Sequence, residues 1–183
     1  MTAAPNAIIF NVDFLFISKS IYMAARFVLP LLFLPWFLQG QVRYYEGEWM
    51  REKKTSHFIA VMKLEMNGSL VAGQIYWKYL AADSSDAADV SMYRGKKYKV
   101  GIEFVRGSYN SETSDLLFSG WSEDDPLNVI GVDRYFLKYC PDWKVAYGKT
   151  SSNGANDGLA FFREISDEEG RKRIESYSRN MSN

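Results

Sequence analysis

The dipeptide Asn67-Gly68, set between two runs in which apolar and polar residues alternate, constrains this chain more than any other feature. Asn-Gly is the strongest short-range signal for a two-residue hairpin, because a type I′ turn needs positive φ at both central positions. With those two residues at the tip, Phe58 faces Trp77, Ala60 faces Ile75, Met62 faces Gly73 and Leu64 faces Val71. Every one of these is apolar or glycine. The other face carries Lys63, Glu65, Gln74 and Lys78 among Ile59, Val61, Leu70, Ala72 and Tyr76, the contrast expected of a core side and a wetter side.

Turn signals of the same kind recur along the chain. They delimit expected strands at residues 43–54, 57–66, 70–80, 97–107, 115–121, 128–139, 144–150 and 158–164. The connections are polar or hold Pro and Gly, as in SYNSET, SEDDPLN, CPDW and SSNGAND, and leave no room for crossover helices. The sheet must then be antiparallel, and eight strands that close on themselves remove the exposed edges. The expected fold is all-β: an antiparallel eight-stranded up-and-down barrel, either filled by side chains or holding one small ligand. Ser166 and Glu169 have capping-box spacing, so a short charged helix from Asp167 to about Tyr177 should follow. Three regions result: an apolar segment over 1–42, the barrel over 43–164 and a helix and tail over 165–183.

Composition narrows the function classes. Formal net charge is zero and the cations are scattered among acids, which argues against duplex nucleic acid as a partner. The lone Cys140 excludes an intrachain disulfide and a cysteine zinc site, and its strand position reads as a small buried thiol. His57 is the single histidine, no phosphate-binding or dinucleotide motif occurs, and the chain is read as a non-enzyme without a cofactor. Asp83, Asp86 and Asp89, and the run Glu123-Asp124-Asp125, lack calcium-loop spacing, so both read as solvated loops and no metal site is assigned.

Residues 27–38 read FVLPLLFLPWFL, an unbroken apolar run. A spanning helix needs about twenty residues, which extension back to Ser20 supplies, with Arg26 placed to snorkel and Pro30 and Pro35 placed to kink it. One reading is a membrane anchor over 20–38, helped by the apolar stretch 8–17. Another is a signal peptide opening at Met23, which would make the protein exported. A third packs the segment on the barrel or a partner. Membrane association is expected, with lipid as a partner, and a homo-oligomer or a larger membrane complex as further partners.

Gly47-Glu48-Trp49 at the start of the first strand resembles the Gly-x-Trp signature of calycin barrels, the group holding lipocalins, fatty-acid-binding proteins and avidins. Arg163 in FFRE sits where lipocalins place an arginine that packs over that tryptophan, and Asp133-Arg134-Tyr135 loosely echoes their Thr-Asp-Tyr element. The resemblance implies a ligand-binding barrel. In domain order, an apolar N-terminal part followed by an avidin-like barrel is similar to the membrane-anchored β-barrel effectors of bacterial CBASS antiphage systems. That similarity implies a sensor of a cyclic oligonucleotide that disrupts the membrane.

One expected strand places a charge on an apolar stripe: Tyr98, Val100, Ile102, Phe104 and Arg106 share a face. If that face lines the barrel, Arg106 points inward and needs an anionic partner, because an unpaired buried charge is costly. The expected binding residues are Arg106 for a small anionic ligand such as a cyclic nucleotide, with Trp77, Tyr79, Phe58 and Trp49 as stacking faces. The leading functional expectation is a non-catalytic, membrane-associated barrel binding a small ligand or a protein partner. The CBASS-like effector and a structural subunit of a membrane complex are the alternatives.

Overall fold

The computed structural model describes residues 40–51, 56–82, 91, 94–152 and 158–181. The anchor or signal segment and the Asp83, Asp86 and Asp89 cluster lie outside the described residues. Eight strands run in sequence around one closed antiparallel barrel: β1 Gln41–Arg51, β2 Ser56–Asn67, β3 Leu70–Ala82, β4 Val100–Asn110, β5 Asp115–Asp124, β6 Asp133–Cys140, β7 Val145–Ser152 and β8 Gly158–Ile165. β1 closes the ring by pairing with β8 as well as β2, so no strand keeps a free edge. Helix α1, Asp167–Met181, follows β8 directly. Among the described residues no helix is long and apolar enough to cross a membrane.

The β2–β3 hairpin turns one residue later than the Asn-Gly reading places it. Asn67 pairs with Leu70, and Gly68 and Ser69 form the tip, with φ of 59° at Gly68. Glycine at the first central position is the II′ arrangement. The ladder therefore slips by two residues: Leu64 opposes Gly73 and Ala60 opposes Trp77. An even slip preserves the side-chain face, so Phe58, Ala60, Met62 and Leu64 still point inward with Ile75 and Trp77, all buried.

β4 is inverted relative to the sequence reading. Gly101, Glu103, Val105 and Gly107 face the interior, whereas Ile102, Phe104 and Arg106 face out and Arg106 is exposed. The outer stripe is apolar because it is partly covered: α1 reaches β4, and the Trp121 ring lies 6.1 Å from that of Phe104. The inner stripe carries glycine where its neighbours come close. A Cβ at Gly107 would run into Phe118, and one at Gly101 into Ile130.

α1 begins as its sequence dictates, with the Ser166 Oγ accepting the Glu169 backbone N–H at 3.2 Å. It lies across the outside of β1–β4. Gly170 rests on the Tyr44 ring, where any side chain would collide. Beneath the helix Tyr44, Val61 and Tyr76 are buried although they point away from the barrel interior. Glu46 holds the helix by charge, bonding both Arg163 of β8 and Arg173 of α1.

Candidate functional site

Among the described residues, three places bear on the expected site. The first is inside, toward the end where β3 finishes and β4 begins. Trp49, Phe58, Trp77 and Tyr79, expected as stacking faces, are brought together here and interlock. Phe58 contacts Trp49, Tyr79 and Trp77 with ring centroids 5.5, 5.2 and 6.4 Å apart, and Trp77 meets Phe162 at 5.9 Å. The Trp49 indole N–H donates to Thr150 Oγ1 at 2.6 Å. These rings belong to the buried core.

Among them stands Glu103, fully buried. Its Oε2 accepts from the Trp77 indole at 3.1 Å and the Tyr135 hydroxyl at 2.5 Å, and its Oε1 accepts the Asp133 backbone N–H at 2.8 Å. Gly120 leaves the space its carboxyl occupies. Burial pushes the Glu103 acid up to about 7, partly offset by those three hydrogen bonds, and pushes Asp133 up to about 6. Sequence reasoning missed Glu103 because it assigned β4 the opposite face; the available signal was a lone acid between two glycines on alternating positions. Chemically it is a buried acid whose carboxyl oxygens accept from Trp77, Tyr135 and the Asp133 backbone. Among the described residues no group of three or more His, Cys, Asp and Glu could hold a metal ion.

The second place is the other end of the interior. An inward arginine exists, but it is Arg43 of β1. Its Nη1 donates to the Tyr139 hydroxyl at 3.0 Å and lies 3.6 Å from Glu164 Oε2, to which Tyr139 also donates at 2.8 Å. Arg43 alternates with Tyr45, Gly47 and Trp49, so its inward position was readable from the first strand. Arg43, Tyr139 and Glu164 together cap this end with a compensated charge pair, and burial pushes the neighbouring Tyr45 up to about 12.

The third place is outside. Arg106 lies over the exposed Trp121 ring, 5.8 Å from its centroid. Its row continues through Ser119 of β5 to Arg134 of β6. These three, with Leu117 and Phe136, line an open groove of about 390 Å³. The aromatic partner of Arg106 is thus Trp121, not Trp77. Two neighbouring rows extend the surface: Leu117, Phe136, Lys149 and Leu159, then Asp115, Lys138, Tyr147 and Phe161. Its apolar members are all exposed, Phe136 at 52% and Leu159 at 51%.

Other expected features resolve simply. Arg163 faces outward in its pair with Glu46 while Trp49 faces inward, so the arginine-over-tryptophan packing implied by the resemblance is not formed. His57 is a partly exposed residue near the start of β2, 3.1 Å from Glu48 Oε2. Asp125 organises its own loop by accepting the Ile130 backbone N–H at 2.6 Å. Cys140 is half-buried, not buried, at the end of β6. Comparison with known proteins finds no match, whether to family models, to curated proteins or to solved structures.

Proposed function

We propose that the protein is a non-catalytic, membrane-associated binding module with a calycin-like barrel, which works through the outer face of β4–β8 while its interior serves as core. The observation that supports this most is the exposed row of Leu117, Phe136 and Leu159, with Tyr147 and Phe161 beside it, on a barrel that buries the equivalent residues of its other half. The apolar run 27–38, ending three residues before β1, supports the membrane part of the reading. A cyclic oligonucleotide inside the barrel would meet Glu103 where its phosphates need a cation, so the sensor reading draws no support from the aromatic end of the interior.

Fractionation of cells expressing the full chain, beside a version beginning at Gln41, tests the reading. The full chain should pellet with membranes and the shortened chain should do so less. A full chain that stays soluble and unprocessed would refute it.

A further inference from the structure

The surface just described has a charge pattern that names its partner. In the three outer rows of β4–β8 the carboxylate is Asp115, and it is bonded to Lys138 at 2.6 Å. Arg106, Arg134 and Lys149 in the same rows have no acid of those rows to neutralise them. An exposed apolar surface that meets water needs no cations, and a solvated cationic face needs no leucines. The combination fits a phase that is apolar below and anionic at its rim. Trp, Tyr and Phe prefer the headgroup level of a bilayer, leucine prefers the acyl boundary, and basic side chains are drawn to anionic headgroups.

From this geometry we infer that the outer face of β4–β8 docks on an anionic lipid surface, with Arg106 and Arg134 gripping headgroup phosphates and Leu117, Phe136, Tyr147, Leu159 and Phe161 seated at the headgroup boundary. This deepens the membrane reading above and rests on it. Arg106 and Arg134 stand two strand spacings apart, about 10 Å, so each takes its own phosphate, and Ser119 between them offers a hydroxyl donor. Contact with Trp121 holds the Arg106 guanidinium at the surface and prevents it from folding away. Nucleic acid fits less well, because aliphatic Leu117 and Leu159 offer no stacking plane to a base.

The test is co-flotation of the purified full chain with vesicles of phosphatidylcholine alone, and of phosphatidylcholine mixed with phosphatidylglycerol, at low and high salt. Binding should be stronger on the anionic vesicles, and salt should weaken the increment. Replacing both arginines, Arg106→Gln with Arg134→Gln, should remove about tenfold or more of that increment while leaving binding to neutral vesicles unchanged, and an unchanged denaturant midpoint shows that the barrel of the variant is folded. Phe136→Ser with Leu159→Ser should weaken binding to anionic vesicles in particular. Arg171→Gln with Lys172→Gln, on exposed positions of α1, should change nothing.

Equal binding to both vesicle types would overturn the docking face and leave the membrane reading standing. No binding to either would overturn both. An increment that survives loss of Arg106 and Arg134, or that vanishes with Arg171 and Lys172, would also overturn the inference. So would self-association reversed by Phe136→Ser without an anionic increment, which assigns the face to a second copy. Competition by free glycerol phosphate as effective as by vesicles would assign the groove to a soluble ligand instead.

Discussion

The two halves of the barrel's outer surface are built alike and finished differently. On β1–β3 the outward residues Tyr44, Val61 and Tyr76 are apolar or aromatic, and α1 buries them. On β5–β8 the outward residues Leu117, Phe136, Tyr147, Leu159 and Phe161 are equally apolar, and nothing among the described residues covers them. The first half shows what this chain does with an apolar outer face when it can cover it: it lays down a helix with a glycine at the closest approach and fastens it through Glu46. The second half was not given that treatment. Its residues stay exposed beside cations, a pattern suited to a surface that meets something other than water.

The sharpest way to break this comparison is to place the same charge on each half. Val61→Asp puts an unpaired carboxylate under α1 and should cost about 3 kcal/mol or more. Phe136→Asp, at a half-exposed site between Ser-, Lys- and Arg-bearing rows, should cost within about 1 kcal/mol. Denaturant midpoints of the two variants measure the difference. Equal losses would mean that the face of β5–β8 is covered in the full chain.

Both halves enclose one interior, and pH reports on it. The Glu103 acid lies at about 7 in the folded barrel, above its ordinary 4.5, because burial disfavours the charged form. The folded state therefore holds that proton more tightly than the unfolded chain. Its contribution is complete below about 4.5 and is lost as pH rises through about 7, on the order of 3 kcal/mol in all. Asp133, pushed up to about 6, acts in the same direction. Stability measured from pH 4 to 8 should fall across this window, and Glu103→Gln should flatten the fall. A slope unchanged in that variant would place the titration elsewhere.

The same contrast explains what could be read from the chain alone. The number of strands, their antiparallel order, the barrel and the capped helix were legible, because each depends on local alternation or on turn and cap chemistry. The face of β4 was not. Hydropathy ranks Val100, Ile102 and Phe104 above Gly101, Glu103 and Gly107 as core residues, but the inner face leaves no room for a side chain beside Phe118 or Ile130, and the outer stripe is sheltered by α1 and Trp121. Which outer face a later helix covers is a tertiary fact that no strand's own pattern records. The candidate site suffered accordingly. Trp49, Phe58, Trp77 and Tyr79 were placed together, whereas Arg106 was placed on the wrong side and Glu103 and Arg43 were overlooked.

A smaller effect concerns how closely the covered half is fitted. Gly170→Val should cost about 2 kcal/mol, since the added side chain collides with the Tyr44 ring and must lift α1 or displace the tyrosine. A variant that keeps the parent's midpoint would show that the helix is held chiefly by the charges around Glu46. Combining Gly170→Val with Tyr44→Ala then separates the two: if steric conflict causes the loss, the double variant should lose less than the two single changes added together.

The smallest effect lies at the hairpin tip, beyond the reach of either cover, and it isolates a second reason for glycine. At Gly170 a side chain has no room; at Gly68 a Cβ would meet nothing within 4 Å, so any penalty must come from the backbone. The φ of 59° there is open to glycine, tolerable to asparagine and poor for a β-branched residue. Gly68→Val should therefore cost about 1–2 kcal/mol, and Gly68→Asn distinctly less. Lys63→Thr serves as the control on the same hairpin, because its partner Glu65 sits on an exposed part of the outer face. It should move the denaturant midpoint little. If valine at position 68 were tolerated as well as asparagine, the tip would have to have moved off position 68, to Ser69-Leu70 or further, because a tip at Asn67-Gly68 needs positive φ there as well. The two-residue slip of the β2–β3 ladder would then be a soft register, not a fixed one, and the inward residues would keep their face in either case.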